Sequence, residues 1–317
     1  MLFVTTRNKV DSFTAFHVLN HDRPSDGGFF VPLQLPVISA DLLANMTEKS
    51  FGQCVADVLN LFFRTKLNGW DVDFCIGRQA VRLVHLGQKV IVTECWHNPE
   101  RDFAHMVKNL IARLKGGRES DTPTCWAGIC IRIAILFAVY AQLRRDSYLA
   151  EGQLLDICMD AEDFSLPMVG WYARKMGLPV GNIICSCRDN STLWDFFRNG
   201  NLHFIPESRQ LQTSLEPLIY GCFGRDEVTR YLQKSACNGV YSLQEVKRKQ
   251  LCRGFYAYVI GENRITSVIH SVNATSSYHL DSQCALSYAA MQDHRTSEWE
   301  TRVTLLLSQR QNRESNR

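Results

Sequence analysis

The sequence predicts an α/β fold in which helices cover both faces of a parallel sheet. An apolar run of strand length, Leu154–Met159, is followed by a helical segment, Pro167–Met176, which stops at Gly177. A continuous apolar strand, Val180–Ser186, and another helix, Ser191–Arg198, come next. Strands that alternate with helices in this order form parallel sheets, so the order itself favours this fold class.

The elements before this alternation are predicted from local patterns. Leu2–Thr6 is a β-branched run typical of a strand. Phe13–Leu19 is expected to be a short helix with Ser12 as its N-cap. Ser50–Phe63 carries apolar residues at helical spacing. The Asp26–Gly28 segment is a turn signal before an apolar run, so the first part of the chain combines strands, helices and a tight turn.

Two helices and a hairpin fill the stretch from residue 81 onward. Val81–Val84 and Val90–Val92 are predicted to pair as a hairpin around Gly87. Phe103–Leu114 has the pattern of an amphipathic helix. Thr124–Leu143 is apolar on most faces, so we expect it to lie deep in a core.

The last third of the chain is predicted to combine helix and strand. Leu215–Tyr231 is expected to be a helix, and Tyr256–Ile260 and Ile265–His270 to be strands. Residues 308–317 are polar and are expected to be a disordered tail.

Composition and charge exclude several classes of function. The net charge is +3 without a concentrated stripe of Lys and Arg, so no nucleic-acid surface is expected. The most apolar run, Ile129–Ala141, is too short for a bilayer and contains Arg132, which predicts a buried helix and no membrane segment. The first residues lack the pattern of an export signal. We therefore expect a cytoplasmic protein whose twelve cysteines are reduced.

Residues that could bind a metal or act as a nucleophile do not form a known motif. The spacing of Cys185 and Cys187 is not that of a zinc site, and no metal is expected. Cys95 lies near His97 and Asp102, which could suggest a nucleophile with its base. The short spacing favours a coincidence, and we interpret the cysteine as a packed thiol.

Five motifs along the chain match, in order, the motifs of one enzyme family. They are Thr5–Asn8, Asp26–Pro32, Val169–Pro179, Ser186–Leu193 and Asp281–Ala285. The family counterparts read S-T-R-G, D-G-G-L-(aromatic)-V-P, A-G-Y-Y-A-K-K-M-G-L-P, A-T-N-x-N-D-x-L and D-P-H-T-A. The chain therefore resembles threonine synthase. The resemblance implies the fold of fold-type II pyridoxal-phosphate (PLP) enzymes, similar to tryptophan synthase β, with an N-terminal family region at 1–80 and the α/β domain at 81–307.

The resemblance also implies a catalytic lysine that this chain does not have. Such a lysine forms a Schiff base with the PLP aldehyde and later moves protons. The family motif W-H-G-P-T-x-A-F-K-D corresponds to Trp96–His105, reading WHNPERDFAH, so Ala104 occupies the lysine position. Lys108 lies one helical turn further on and could substitute only in a rebuilt pocket. An exposed helical lysine is the more common case.

The phosphate-binding loop is degenerate as well. The family sequence P-T-G-N-F-G-D corresponds here to residues 160–166, DAEDFSL, in which only Phe164 is retained. Ser165 replaces a glycine, and the other glycine is also lost, which hinders close approach of the backbone to a phosphate. Glu162 and Asp163 add negative charge, and each like-charge contact at ~4 Å would cost about 4 kcal/mol at an effective dielectric near 20.

Two further features differ from what the resemblance implies. Cys284 takes the place of the family threonine that can meet the pyridine nitrogen, although a packed thiol is the simpler interpretation. The family segment S-G-D-T-G, which contacts substrate, is missing, because the loop 115–124 joins two helices directly. The resemblance therefore implies a truncated small domain.

These losses favour a non-catalytic threonine synthase-like protein that binds a partner or a small ligand and has no cofactor. The alternative is a PLP-dependent lyase of threonine biosynthesis that converts O-phosphohomoserine to threonine and phosphate. A third hypothesis is a subunit that completes its truncated small domain through another chain. The exposed apolar surface would then form a homo- or hetero-oligomer interface.

Overall fold

The computed structural model describes residues 1–8, 11–77, 81–87, 89–95, 103–117, 126–161, 164–188, 191–204, 214–297 and 301–308. The chain packs into two compact units. Unit 1 comprises Met1–Ala80, His97–Gln153 and Val169–Pro179, and unit 2 comprises Val81–Trp96, Leu154–Met168 and Val180–Arg317. The family regions expected at 1–80 and 81–307 stay a prediction, and the expected tail lies outside the described residues from position 309 onward.

The elements up to residue 145 are β1 (Leu2–Thr5), β2 (Ser12–Thr14), α1 (Ala15–Asn20), β3 (Phe30–Pro32), α2 (Ala40–Met46), α3 (Phe51–Phe63), α4 (Gly69–Ile76), β4 (Arg82–His85), β5 (Val90–Glu94), α5 (Phe103–Leu114) and α6 (Trp126–Arg145). The elements that follow are β6 (Leu155–Asp160), α7 (Ser165–Lys175), β7 (Val180–Arg188), α8 (Ser191–Asn199), β8 (Asn201–His203), α9 (Glu216–Phe223), α10 (Arg225–Ala236), β9 (Val240–Ser242), α11 (Glu245–Leu251), β10 (Phe255–Ile260), α12 (Glu262–Ser276), α13 (Ser282–Ser297) and β11 (Val303–Ser308).

Unit 1 contains a three-stranded antiparallel sheet, with β1 between β2 and β3, and a tight turn before β3. In this turn the Asp26 carboxylate accepts hydrogen bonds from Thr5 Oγ1 at 2.6 Å and from the Gly28 N–H at 2.9 Å. Gly27 has a φ of +74°, and a Cβ on Gly28 would lie 2.7 Å from Thr6 Oγ1. The turn therefore requires glycine at both positions.

The long helix α6 is the buried helix that the sequence predicts. Its Trp126 ring packs edge-on against Phe62 at 6.1 Å and against Tyr172 at 5.0 Å, measured between ring centroids. Among the described residues it is the one helix long and apolar enough to cross a membrane by length and composition. Because 89% of its apolar window is buried inside the protein, this is weak evidence for a membrane span.

Unit 2 is built on a six-stranded sheet with the order β10-β7-β6-β11-β5-β4. All neighbouring strands are parallel except β4 and β5, which form the antiparallel hairpin that the sequence predicts. Helix α13 covers one face, and its side chains form an apolar cluster with residues of the strands and of α12. The predicted α/β class with a mainly parallel sheet is confirmed.

Several local predictions were wrong. Ser12 and Phe13 belong to strand β2, and Thr14, not Ser12, is the N-cap of α1. The predicted strand Ile265–His270 is part of helix α12, because Ile265, Val268 and Val272 share one buried helical face.

The predicted helix Leu215–Tyr231 is interrupted at Gly224. That residue has a φ of +80°, which ends α9 and separates it from α10. Strand β11, which the sequence analysis missed, lies between β5 and β6. A short apolar run of this kind cannot be told from a buried helical turn by its periodicity alone.

Candidate functional site

The carboxyl ends of the parallel strands in unit 2 form the candidate site. In open α/β sheets, ligands bind outside these strand ends. Glu94 ends β5, Asp160 ends β6 and Arg188 ends β7. Because these three strands share one sheet and run parallel, their charged terminal residues lie along the same edge.

Glu94 is a buried carboxylate with a defined partner. Its exposed fraction is 3%, and the Tyr278 hydroxyl donates a hydrogen bond to Glu94 Oε1 at 2.6 Å. Burial and this hydrogen bond raise the pKa of Tyr278 well above its usual range. The phenol therefore stays protonated and holds the carboxylate in place.

The beginning of α13 adds a second carboxylate with an internal role. Asp281 Oδ1 accepts a hydrogen bond from the Cys284 N–H at 2.8 Å and so caps this helix. The Gln283 side-chain amide donates to Asp160 Oδ2 at 3.2 Å. These contacts join the start of α13 to the end of β6.

Cys284 lies inside the apolar cluster rather than facing a ligand. It is fully buried, together with Cys158 and Ile184. Burial, reinforced by the charge of Asp281, raises the pKa of the Cys284 thiol well above its usual range. The side chain is therefore a neutral thiol, which is a weak hydrogen-bond donor.

Arg188 supplies positive charge to this edge, but the guanidinium is already engaged. Its Nη1 lies 2.5 Å from Glu262 Oε1, and its Nη2 donates to the Ser282 hydroxyl. These contacts join the end of β7 to the first turns of α12 and α13. A phosphate would have to compete with Glu262 for this cation.

The segment expected to correspond to the phosphate loop begins at Asp160, the last residue of β6. Glu162 and Asp163 lie outside the described residues. The Ala161 N–H donates to the Ser186 carbonyl at 3.0 Å, and the Phe164 N–H donates to Ser214 Oγ at 2.9 Å. Both backbone donors are thus used within the protein, whereas a phosphate loop needs them to point at the ligand.

Phe164, the retained residue of that loop, is part of the core. Its ring is fully buried and lies 5.8 Å from the Phe197 ring and 5.9 Å from the Phe255 ring, between centroids. Ser165 is the first residue of α7 and is half-buried. Packing therefore accounts for the retention of the phenylalanine.

The residue predicted at the lysine position, Ala104, lies in unit 1. Ala104 is the second residue of α5, and its side chain lies outside what the structure describes. Lys108 is half-buried on the same helix, whose Met106, Val107 and Leu110 face the core. In unit 2, taken by itself, the N–H groups of Ala161 and Phe164 donate to protein oxygens, an arrangement that does not fit the phosphate of PLP.

The structure does not bring together the other groups considered from the sequence, a cysteine nucleophile with its base and a set of metal ligands, among the residues that it describes. Cys95 is 2% exposed, and its thiol is 3.9 Å from the Thr93 carbonyl oxygen. His97 and Asp102 lie outside the described residues. Within the described part of the chain, no group of three or more His, Cys, Asp or Glu side chains could hold a metal ion.

The sequence analysis missed Glu94, Asp160, Arg188 and Tyr278 as residues of this edge. The first three could have been found from their position one or two residues after the predicted strands. Tyr278 carried no such signal, because its contact with Glu94 joins residues 184 positions apart.

Comparison with known proteins identifies similar chains. A family model described as the threonine synthase N terminus matches residues 2–79. Threonine synthase-like 1 of Macaca fascicularis is 23% identical over 177 residues, which are 51% of this chain and 23% of that protein. The protein of the same name from Mus musculus is 28% identical over 94 residues, 30% of this chain and 12% of that protein. The chain therefore spans less than a quarter of the length of these relatives.

Solved structures are similar over nearly the whole chain. The PLP-bound threonine synthase from Brucella melitensis has a TM-score of 0.84 and 17% identity, covering 99% of this chain and 89% of that one. Threonine synthase from yeast has a TM-score of 0.82 and 15% identity, covering 97% and 87%. These matches confirm the fold class, and together with the family match they confirm the resemblance indicated by the sequence.

Proposed function

We propose that this chain, a member of the threonine synthase family, is not a PLP-dependent catalyst and acts by binding a small ligand or a partner protein. The observation that carries the proposal is Ala104 at the lysine position. A methyl group has no lone pair to form a Schiff base and no proton to transfer. No cofactor is expected.

The carboxyl edge of the sheet in unit 2 supports the same conclusion. Its carboxylates Glu94, Asp160 and Asp281 would repel the phosphate dianion of a cofactor, and Arg188 is paired with Glu262. The N–H groups of Ala161 and Phe164, which belong to the segment expected to be the phosphate loop, donate to protein oxygens. A ligand at this edge would have to offer hydrogen-bond donors rather than a phosphate group.

A cytoplasmic location is part of the proposal. The cysteines among the described residues are free thiols, a state that a reducing compartment maintains.

The alternative is an active lyase that converts O-phosphohomoserine to threonine and phosphate. The observation in its favour is the similarity to a threonine synthase solved with PLP bound. Fold similarity at 17% identity does not determine activity, because one fold can host unrelated functions.

The experiment is a turnover assay on the purified protein with PLP and O-phosphohomoserine, in which released phosphate and threonine are both measured. We expect no more product than free PLP alone gives. The matched variant is Ala104→Lys, which restores the amine and leaves the phosphate loop unchanged. We expect this variant to stay inactive as well. Turnover by the unmodified chain above the free-PLP background would overturn the proposal.

A third possibility is that the chain works as a subunit of an oligomer. The short connection between α5 and α6, where the family has its substrate segment, favours this candidate. Size-exclusion chromatography with light scattering would test it, because a monomer at every concentration would contradict it.

A further inference from the structure

We propose that the outer edge of strand β10 binds an extended, acidic segment of a partner protein, which adds a strand to the six-stranded sheet. Strand β10 (Phe255–Ile260) is the last strand of that sheet, and in the described part of the chain it pairs with β7 alone. An edge strand presents backbone groups with which another chain can pair. This inference rests on the proposed binding function, because it names a surface and a class of partner for it.

The register of β10 shows which of its backbone groups face outward. Phe255 lies opposite Ile183 of β7, and the Ile183 N–H donates to the Gly254 carbonyl at 2.8 Å. In a parallel pair the bonds go to alternate residues, so the N–H and C=O groups of Ala257 and Val259 point away from β7. No hydrogen bond joins these outward groups to another described residue. They are therefore the groups that an added strand would bind.

The sequence of β10 does not protect this edge against pairing. The strand reads FYAYVI and contains no charged residue and no proline. The opposite edge strand, β4, carries Arg82 and His85, both exposed, and such side chains hinder pairing with another chain. The two edges of the same sheet therefore differ, and β10 is the one suited to a further strand.

A cavity beside β10 fits one side chain of such a strand. Its volume is about 250 Å³, and it is lined by residues 255–258 of β10 and by Trp194, Phe197 and Arg198 of α8. Successive strand residues point to opposite faces, so a run of consecutive lining residues places the cavity at the edge of the strand. Small-molecule pockets usually have about 300–1,000 Å³. The cavity is therefore better suited to a peptide side chain than to a separate small ligand.

The charge beside the cavity indicates that the partner is acidic. The Arg198 guanidinium lies over the Trp194 ring, 5.0 Å from its centroid. Arg253, just before the strand, is exposed, and neither arginine forms an ion pair with a described residue. Arg248 donates to the Arg198 carbonyl at 2.8 Å and adds a third cation. A carboxylate on the added strand would pair with the stacked guanidinium.

The same charges distinguish the acidic segment from two other occupants. A second copy of this chain would bring the same cations to the edge, and like charges oppose association. A nucleic acid has the negative charge but lacks the backbone amide groups that pair with a strand. An extended acidic peptide satisfies both the outward backbone groups and the arginines.

The test selects peptides from a display library of random dodecapeptides on the full chain and measures their affinity by fluorescence anisotropy. We expect the selected peptides to be rich in β-branched residues and to contain Asp or Glu. Val259→Pro removes an outward N–H, a change that an edge strand tolerates, and should raise the dissociation constant roughly tenfold or more. Val259→Thr keeps the N–H and is the matched control, which should leave the dissociation constant unchanged.

A charge reversal tests the acidic character of the partner. Arg198→Glu should also raise the dissociation constant roughly tenfold, and added salt should weaken binding to the wild type. The matched control is Arg82→Glu, which makes the same charge change on the opposite edge strand and should have no effect. Circular dichroism and thermal unfolding would establish that each variant is folded.

The proposal is overturned if the library yields no binding peptide, or if Val259→Pro and Arg198→Glu leave binding intact. Equal weakening by Arg82→Glu overturns it as well. A wild-type chain that light scattering shows to be a dimer, and that becomes a monomer in Val259→Pro, would assign the edge to a second copy instead. None of these measurements involves PLP or turnover, so the inference can fail while the proposed loss of catalysis stands.

Discussion

Two segments that align with family motifs differ in how many of the motif residues this molecule retains. The Asp26 turn of unit 1 matches its motif and is held by two hydrogen bonds to the Asp26 carboxylate, while the segment 160–166 of unit 2 retains only Phe164 of its motif. In the turn, the carboxylate and both glycines fix the backbone. In unit 2, the lost glycines would have served a bound phosphate, and the structure does not need them. The comparison teaches that the retained residues are those on which the fold depends.

Substitution of Phe164 is the strongest test of this comparison, because it has the largest expected effect on stability. If packing explains its retention, Phe164→Ala should lower the free energy of unfolding by about 3–5 kcal/mol, because it empties a buried aromatic site beside Phe197 and Phe255. Chemical denaturation measures this quantity. Phe164→Leu should recover most of the loss, and Phe16→Ala, at an exposed position, should have almost no effect. A stable Phe164→Ala protein would remove the packing explanation.

The second largest loss of stability is expected from a substitution in the Asp26 turn of unit 1. Asp26→Ala removes the acceptor for Thr5 Oγ1 and the Gly28 N–H, so we expect a loss of about 2–3 kcal/mol in the free energy of unfolding. Asp146→Ala, which changes an exposed carboxylate with a long 3.9 Å contact, is the matched control and should change stability by less than about 0.5 kcal/mol. Equal effects of both substitutions would contradict a structural role of the turn.

A polar cluster around Glu227, which lies outside every matched motif, provides a third test. Glu227 is buried and accepts hydrogen bonds from Tyr241 at 2.8 Å and from Lys247, and it lies 2.9 Å from Arg230. Burial raises the pKa of Glu227, but the hydrogen bonds and the positive charge of Arg230 outweigh burial, so the pKa is lowered. A lowered pKa in the folded state stabilises the fold above the pKa of the unfolded chain. That contribution is lost as the pH falls through the folded value.

We therefore expect Glu227→Gln to cost about 1–2 kcal/mol at neutral pH. The difference from the wild type should shrink as the pH falls below about 4.3, the usual pKa of glutamate. Urea unfolding of both proteins at several pH values measures this difference in stability. Glu151→Gln, at an exposed position, should show no such pH dependence. A difference that is constant with pH would mean that the charge of Glu227 does not contribute to stability.

Much of the fold could be predicted because many of its elements have a recognisable local sequence pattern. Helix α5 begins and ends where the apolar spacing predicts, and β7 reads as an apolar run. Strand β11 was missed because its apolar run is short and could equally belong to a buried helix. The segment Ile265–His270 was misassigned because its β-branched residues favour a strand locally. In the folded chain it is a helix, since its apolar residues pack into the core along one helical face.

The candidate site could be predicted only where a motif marks it. From the family motifs the sequence predicts Ala104 at the lysine position and the loss of the loop glycines, and both stay predictions. It did not predict that the Phe164 N–H donates to Ser214 or that Tyr278 donates to Glu94. These contacts join residues 50 and 184 positions apart, so only the folded chain brings them together.

The most direct test of the central claim is the visible absorption spectrum of the purified protein mixed with PLP, followed by borohydride reduction and peptide mapping. We predict no Schiff-base band and no pyridoxyl group fixed to a specific lysine. Lys108→Ala is the matched variant, because Lys108 is the one candidate for a displaced amine that the sequence suggests. A band that disappears in this variant, with the label mapped to Lys108, would mean that the pocket was rebuilt and that the chain still binds PLP covalently.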